Sequence, residues 1–513
     1  MFLGFSSEVV SALAAVVICL GAAQAALADE GTAPSRVVFR GGTVYDGTGA
    51  AGVKADVLVE GDAIAAIGRD IKADGATVLD ATGLVVCPGF IDVHNHTHEG
   101  LNTPDDPVAR QVPSSVGQGV TTVVVGMDGS GEIDMVKYAE KITKNPRSVN
   151  IARLAGHSAA RRAVVGREQR PATPEELAKM AALVDAAMKN GAFGLSSGLE
   201  YLGDYVTTEE VIALAKSVAP YGGYYETHLR NEDITVFEAT QEAIRICREA
   251  GGIGLSISHI KVGSYEVWHR AGKLLKIIDD ARAEGLKVYA NWRSSIQWAS
   301  DLRGFDPDNK RDLGAIDREI RKYYPNAEAY CFECSAHPEF VGQTLDKIAA
   351  SMKVTPAEAL VKIWDSGGAR FEYNAMTWED KKTFLLDPYC MVSSDGADGA
   401  LSKGRKDPMI WSCFPIFFDR MVREWRWVPM ETAVYKCTGL PAEMLGLKDR
   451  GRLAPGMKAD IAVFDPKTIA GEEHWDKFDT LPTGIAYTVV NGVIVMDHGK
   501  HTGALPGRML LRK

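Results

Sequence analysis

Cys87-Pro-Gly-Phe-Ile-Asp-Val-His-Asn-His-Thr-His98 is the stretch on which the reading of the chain turns. Val86, Phe90, Ile91 and Val93 are apolar and read as a buried strand approaching a surface, and residues two apart on a strand share a face. His94 and His96 then offer two imidazoles side by side at the strand's end, and neutral imidazole suits zinc and neighbouring first-row metals. His98 continues the alternation but lies past the apolar run, which assigns it to the loop or to a supporting hydrogen bond. A lone His-x-His is a weak motif, so its weight depends on what the rest of the chain does with histidine.

Downstream, strand-like runs alternate with helices. The runs end at Gly126, His157, Ser197, His228, His259, Asn291 and Asp395, and with the first strand they make eight. Thr173-Pro-Glu-Glu176 and Thr207-Thr-Glu-Glu210 are capping boxes that start helices, while Asn190-Gly191, Gly251-Gly252 and Gly285 mark helix ends. Such alternation is the pattern of a (β/α)8 barrel of the α/β class, whose parallel strands all end at one mouth, where active sites sit. His157, His228, His259 and Asp395 each stand at a strand end. Histidines scattered through a core would not keep choosing that end, and the recurrence turns the weak motif into a metal site. The interval from Asn291 to Cys390 is too long for one helix and must hold additional elements.

The flanks have a different texture. Residues 37–83 form short alternating strands broken by Gly-Gly, Asp-Gly and Gly-Asp turns, and residues 459–495 repeat the pattern, with Asn491-Gly492 as a hairpin turn. The two flanks are expected to fold together as a small β-sandwich, residues 37–86 with 440–513, around a catalytic barrel spanning 87–439. Residues 9–28 are nearly free of charge and end in Ala26-Leu27-Ala28, matching a secretory signal peptide over 1–28, although Met1 to Glu8 carries no Lys or Arg. A periplasmic or secreted mature chain without a stable membrane anchor follows. The chain of 513 residues carries a formal net charge of -10, which argues against nucleic acid as a partner. Its eight cysteines leave an odd set once Cys19 departs with the signal. Cys331-Phe-Glu-Cys334 is the one close pair, able to close into a small disulfide loop in an oxidising compartment.

The segments Pro88–His96 of the opening stretch, Gly119-Val-Thr-Thr-Val123, Gly156-His157, Gly191-Ala-Phe-Gly-Leu-Ser-Ser-Gly-Leu-Glu-Tyr201, Thr227-His-Leu-Arg230, Ser258-His-Ile-Lys261 and Ser394-Asp-Gly396 together resemble the amidohydrolase superfamily, most closely the N-acyl-D-amino-acid deacylases. Gly451-Arg-Leu-Ala-Pro-Gly-Met-Lys-Ala-Asp460 and Asn491-Gly492 resemble that group as well. The resemblance implies zinc, one or two ions per chain, with His94 and His96 on one ion and His228 and His259 on the other. It makes Asp395 both a ligand and the base that takes a proton from water. The family's cysteine after the second strand is replaced here by Asp128, a carboxylate that can bind or bridge zinc but is harder than thiolate. Lys261 matches a lysine that binds the substrate carboxylate. The family's His-Pro-Arg is replaced by Asp407-Pro408-Met409, which removes a bidentate carboxylate clamp; either Arg293, Arg230 or Arg405 supplies the missing charge, or the substrate is not an ordinary N-acyl-D-amino acid.

The implied chemistry is hydrolysis of a linear amide in a small molecule, with Asp395 as general acid and base and His157 either bonding the carbonyl or orienting a ligand. Two alternatives remain. Hydrolysis of a cyclic amide or dipeptide is disfavoured because no lysine in 192–199 offers the carboxylated bridging ligand common in such relatives; a metal-free binding protein on the same barrel is the other. The sequence does not fix the oligomeric state.

Overall fold

The computed structural model describes residues 35–97, 107–300, 304–306, 309–323, 329–397, 407–474, 477 and 479–513. The expected signal peptide, His98 and Arg405 lie outside the described residues. The chain opens with strands β1 (Arg36–Val44), β2 (Val53–Glu60), β3 (Ala63–Gly68), β4 (Thr77–Asp80) and β5 (Val85–Pro88). Barrel strands follow: β6 (Phe90–Asp92), β7 (Val120–Val125), β8 (Asn150–Arg153), β9 (Ala155–Gly156), β10 (Gly194–Gly198), β11 (Tyr224–His228), β12 (Gly254–Ile257) and β13 (Val288–Trp292). After an insertion containing β14 (Gln297–Ser300), β15 (Tyr330–Glu333) and β16 (Arg370–Asn374), the last barrel strand is β17 (Cys390–Val392). The C-terminal strands are β18 (Ile461–Phe464), β19 (Ile485–Val490), β20 (Val493–Asp497) and β21 (Lys500–His501).

Every ladder of the barrel is parallel: β6 pairs with β7 and β7 with β8, then β9 through β13 and β17 pair in sequence. The third strand expected from sequence is broken at Leu154, so β8 pairs with its predecessor and β9 with its successor. First and last strands meet through a parallel bridge between Asn95 and Gly396. Asp92 fastens this seam by accepting hydrogen bonds from Asn95 Nδ2 at 2.8 Å and the Ser394 amide at 3.0 Å. Apolar side chains such as Val123, Ile151, Leu195, Tyr225, Leu255 and Val392 fill the barrel and its helical jacket. The long interval before Cys390 holds, as expected, elements of its own: a three-stranded antiparallel sheet with a separate core around Ile316, Leu360 and Phe371.

The opening stretch is two strands, not one. Val85–Pro88 pairs with β1 and, antiparallel, with β18, Cys87 lying opposite Ala462, whereas Phe90–Asp92 belongs to the barrel. Gly89 makes the crossing. A Cβ there would sit 2.1 Å from Thr121 Cγ2, so only glycine passes. The segments on both sides of the barrel contribute to one nine-stranded sheet, in the order β21-β20-β19-β18-β5-β1-β2-β3, with β4 on β1.

Thr173 and Glu176 form the reciprocal capping box read from sequence. At the second box Thr207 Oγ1 does accept the Glu210 amide at 3.2 Å, but the Glu210 carboxylate turns inward to His157 and Arg161 instead of back to the cap. Cys331 and Cys334 are buried free thiols, so the loop disulfide is not formed; burial, with Cys334 alongside, pushes the Cys331 thiol up to about 12. Among the described residues no helix is long and apolar enough to cross a membrane.

A buried polar hub locks the terminal sheet onto the barrel. Asp460 accepts from Asn150 Nδ2 of β8 at 3.1 Å and from the Asn491 amide at 2.7 Å, and it pairs with the Arg450 guanidinium. Asn491 Nδ2 returns to Asn150 Oδ1 at 2.8 Å. The Asp460 and Asn491 of the C-terminal motifs therefore join segments rather than contact substrate. Replacing Asp460 by Ala would remove the buried carboxylate from Arg450, leaving that guanidinium only Asp449 at 3.6 Å and the Asn491 side-chain oxygen at 3.2 Å, so Asp460→Ala should destabilise the protein by about 2–4 kcal/mol. Denaturant unfolding measures this; a change below about 1 kcal/mol would show that the hub does not hold the two parts together.

Candidate metal centre

The barrel brings six sequence-distant donors to one mouth. His94 and His96 follow β6, Asp128 follows β7, His228 closes β11, His259 follows β12 and Asp395 follows β17. Ring centroids lie 5.2 Å apart for His94 and His96, 4.9 Å for His94 and His259, and 4.7 Å for His228 and His259. Three donor sets have their ligand atoms within 4.8 Å of one another: His94, His96 and Asp395; His94, Asp128 and His259; and His228, Glu232 and His259.

These distances are those of ligands rather than of hydrogen-bonded partners. Asp395 Oδ1 is 3.3 Å from His96 Nε2 and 3.5 Å from His94 Nε2, and the Asp128 oxygens are 3.6 and 3.9 Å from the same two nitrogens. A direct N–H···O bond would close to about 2.7–3.2 Å. Donors each about 2.0–2.2 Å from a shared ion stand roughly 3.3 Å apart in a tetrahedral shell. His94 Nε2 and Asp128 Oδ1 are moreover buried with no hydrogen-bond partner, which is costly unless something else satisfies them. Nitrogen and carboxylate oxygen donors in this arrangement fit a divalent zinc-like ion.

Carboxylates behind the ligands orient them. Glu226, two residues before His228 on β11, accepts from His94 Nδ1 at 2.8 Å; a carboxylate only accepts, so this nitrogen carries the proton and Nε2 keeps its lone pair for a metal. Glu232 is buried at 3.1 Å from His259 Nδ1 and 3.4 Å from His228 Nε2, and it pairs with the Lys261 ammonium. Tyr201 Oη lies 3.1 Å from His228 Nδ1, and Glu200 also reaches this ring.

The electrostatics follow from that surplus of carboxylate. Burial works against a charged His94, yet Glu226, Asp128 and Asp395 raise its pKa to about 9. His228 likewise stands at about 9, with burial outweighed by Glu232, Asp128 and Glu200. Burial and Lys261 push His259 down to about 4 against the pull of Glu232. Burial raises the pKa of Asp128, but His94, His96, His228 and His259 together hold it below the ordinary carboxylate value. Asp128 therefore sits in the field of all four imidazoles. Asp128, His259 and Asp395 also take positive φ of 55°, 30° and 52°, a conformation that costs a residue with a side chain of order 1–3 kcal/mol and persists where the surroundings enforce it.

The remaining sequence-derived residues divide. Lys261 and Arg293 border the centre: Lys261 Nζ is 2.6 Å from His259 Nδ1, and Arg293 Nη1 is 3.8 Å from Asp395 Oδ2 while its Nη2 pairs with Asp407. Arg230 is committed elsewhere, doubly bonded to Glu242 and to the Val206 carbonyl. His157 opens the helix His157–Val164, with Nε2 at 2.9 Å from Glu210 and Nδ1 buried without a partner. No hydrogen bond or ion pair among the described residues joins His157 to the six ligands. Sequence reasoning missed Glu226, Glu232 and Glu200; only Glu226 left a signal, its i, i+2 spacing to His228 on a strand.

A family model described as the amidohydrolase family matches residues 77–376 and 408–496. The chain is 33% identical over 506 residues to D-aminoacylase of Alcaligenes xylosoxydans xylosoxydans, covering 93% of this chain and 98% of that one. A solved D-aminoacylase, reported with a binuclear metal centre, superposes with a TM-score of 0.79 at 32% identity over 93% of this chain and 99% of its own. The N-acyl-D-glutamate deacylase of Bordetella bronchiseptica, solved with zinc and a phosphonate that mimics the tetrahedral intermediate, gives 0.79 at 30% identity over 94% and 100%. The chain belongs to the amidohydrolase family, among the D-aminoacylases and N-acyl-D-amino-acid deacylases.

Proposed function

We propose that the protein is a zinc-dependent hydrolase that deacylates an N-acyl-D-amino acid, cleaving its linear amide. The observation that carries this reading is the juxtaposition of the His94, His96 and Asp395 set with Asp128, His228 and His259 at one barrel mouth, in a chain a third identical to D-aminoacylase along its length. A divalent metal bound there would polarise the scissile carbonyl and make water a competent nucleophile near neutral pH.

The chain's own groups supply the rest. Asp395 takes a proton from the attacking water at a carboxylate oxygen and returns it to the leaving nitrogen. The Asp395 amide bonds to the His94 carbonyl at 3.1 Å, which fixes the distance between base and ligands. Glu226 keeps His94 in its ligating tautomer. Asp128, held as a carboxylate by its four histidine neighbours, stands where the family's cysteine is expected and joins the two halves of the donor set. Strand β10 reads Gly194-Leu-Ser-Ser-Gly198 and offers no lysine to bridge, which supports the linear-amide reading over the cyclic one. Residues 26–28 support export of the chain to the periplasm or beyond.

Zinc-loaded protein should turn over at least one member of a panel of N-acyl-D-amino acids, and a panel with no turnover would remove the substrate assignment. Asp395→Asn is expected to lower kcat by roughly 10²–10⁴-fold with the circular dichroism spectrum unchanged. Asp128→Ala should reduce the zinc retained per chain, read by elemental analysis after dialysis; retention equal to that of the unaltered protein would strike Asp128 from the ligands. Amino-terminal sequencing of the exported protein should begin at Asp29, and a start at Met1 would count against the signal.

A further inference from the structure

The lost arginine clamp poses a question that the structure answers with a residue not singled out in the sequence. A cavity beside the centre is lined by His259, Lys261, Arg293, Trp298, Lys381 and Asp395. Two of its three cations are already matched by the protein's own carboxylates, Lys261 by Glu232 and Arg293 by Asp407. Lys381 is not. It lies on the helix Trp378–Leu386, the residue is 1% exposed, and among the described residues no hydrogen bond or ion pair reaches its ammonium. The ammonium stands over the face of the Trp292 ring, 4.5 Å from Nζ to the centroid.

A ring face returns less than it costs to bury an ammonium, so the position makes sense when a ligand brings the anion. Burial pulls the Lys381 pKa down to about 7; Lys261 and Arg293 act in the same direction, and the Cys390 and Cys413 thiols oppose them. Arg293, on the same cavity, has its Nε buried without an acceptor, a second unused donor. In an N-acyl amino acid only the α-carbon separates the scissile nitrogen from the carboxylate. A substrate whose amide reaches Asp395 therefore carries a carboxylate of the right sign into the cavity that Asp395 borders.

We propose that Lys381 is a substrate-binding residue whose ammonium receives the carboxylate of the N-acyl amino acid, in the role of the missing arginine. This rests on the deacylase reading given above. The test compares D-leucine with D-leucinamide, which differ in the carboxylate, by titration calorimetry on the zinc-loaded protein, together with KM and kcat for N-acetyl-D-leucine. The unaltered protein should bind D-leucine roughly 10- to 100-fold tighter than D-leucinamide, the span of a hydrogen bond to a charged group. Lys381→Met should abolish that preference and raise KM by a similar factor with kcat little changed, and Lys381→Arg should restore most of both. Lys381→Gln serves if the Met variant does not melt cooperatively. A preference that survives both neutral variants, or is absent from the unaltered protein, overturns the assignment. Lack of turnover of any acyl amino acid with the preference intact would instead remove the deacylase reading and leave Lys381 as a carboxylate-binding residue.

Discussion

A concentrated surplus of carboxylate in a sparsely solvated mouth is the constraint around which this molecule is built. Asp128, Glu226, Glu232 and Asp395 crowd four imidazoles whose own preference, once buried, is to be neutral. Anions held that close in low dielectric need a cation among them, and protonation of His94 and His228 is a poor substitute for a divalent ion. The left-handed backbone at Asp128, His259 and Asp395 and the tight seam at Asp92 are local costs incurred to bring those groups together. The barrel is the framework stiff enough to impose them.

Much of this was legible from residues alone because a parallel barrel converts position in sequence into position in space. His94, His228 and His259 could be read as neighbours once each was seen at a strand end, and the structure brings them together. Glu226 obeyed the same alternation as His228 and was overlooked because an acidic residue on a strand carries no motif. Glu200 and Glu232 lie in connections, where no periodicity tells which way a side chain points. Arg230 shows the limit of extrapolation: two residues past His228 suggests the same face, but the strand has ended and the side chain turns to Glu242.

Lys381 was invisible for a different reason. A lysine between acidic and basic neighbours on a helix reads as solvated, and only the packing of that helix against Trp292 reveals that it is inside. The break at Gly89 was equally hidden. Val86, Phe90, Ile91 and Val93 are apolar on both sides of it, and hydrophobicity does not say which of two sheets a strand joins. The Glu210 carboxylate, read as part of a helix cap, is drawn inward because Arg161 Nη1, bonded to both of its oxygens, and His157 together outcompete a second cap bond.

The seating of β5 sets the order in which the molecule can be completed. Cys87 bonds through its thiol to the carbonyl of Ala462, 375 positions later, and the strand that leads to the first two histidines begins beyond Gly89, immediately after this anchor. Contacts of such separation close slowly, since the intervening loop entropy must be lost before they repay it. A chain interrupted shortly before Ile461 would carry every ligand yet lack the strand on which β5, just ahead of the first two, is seated.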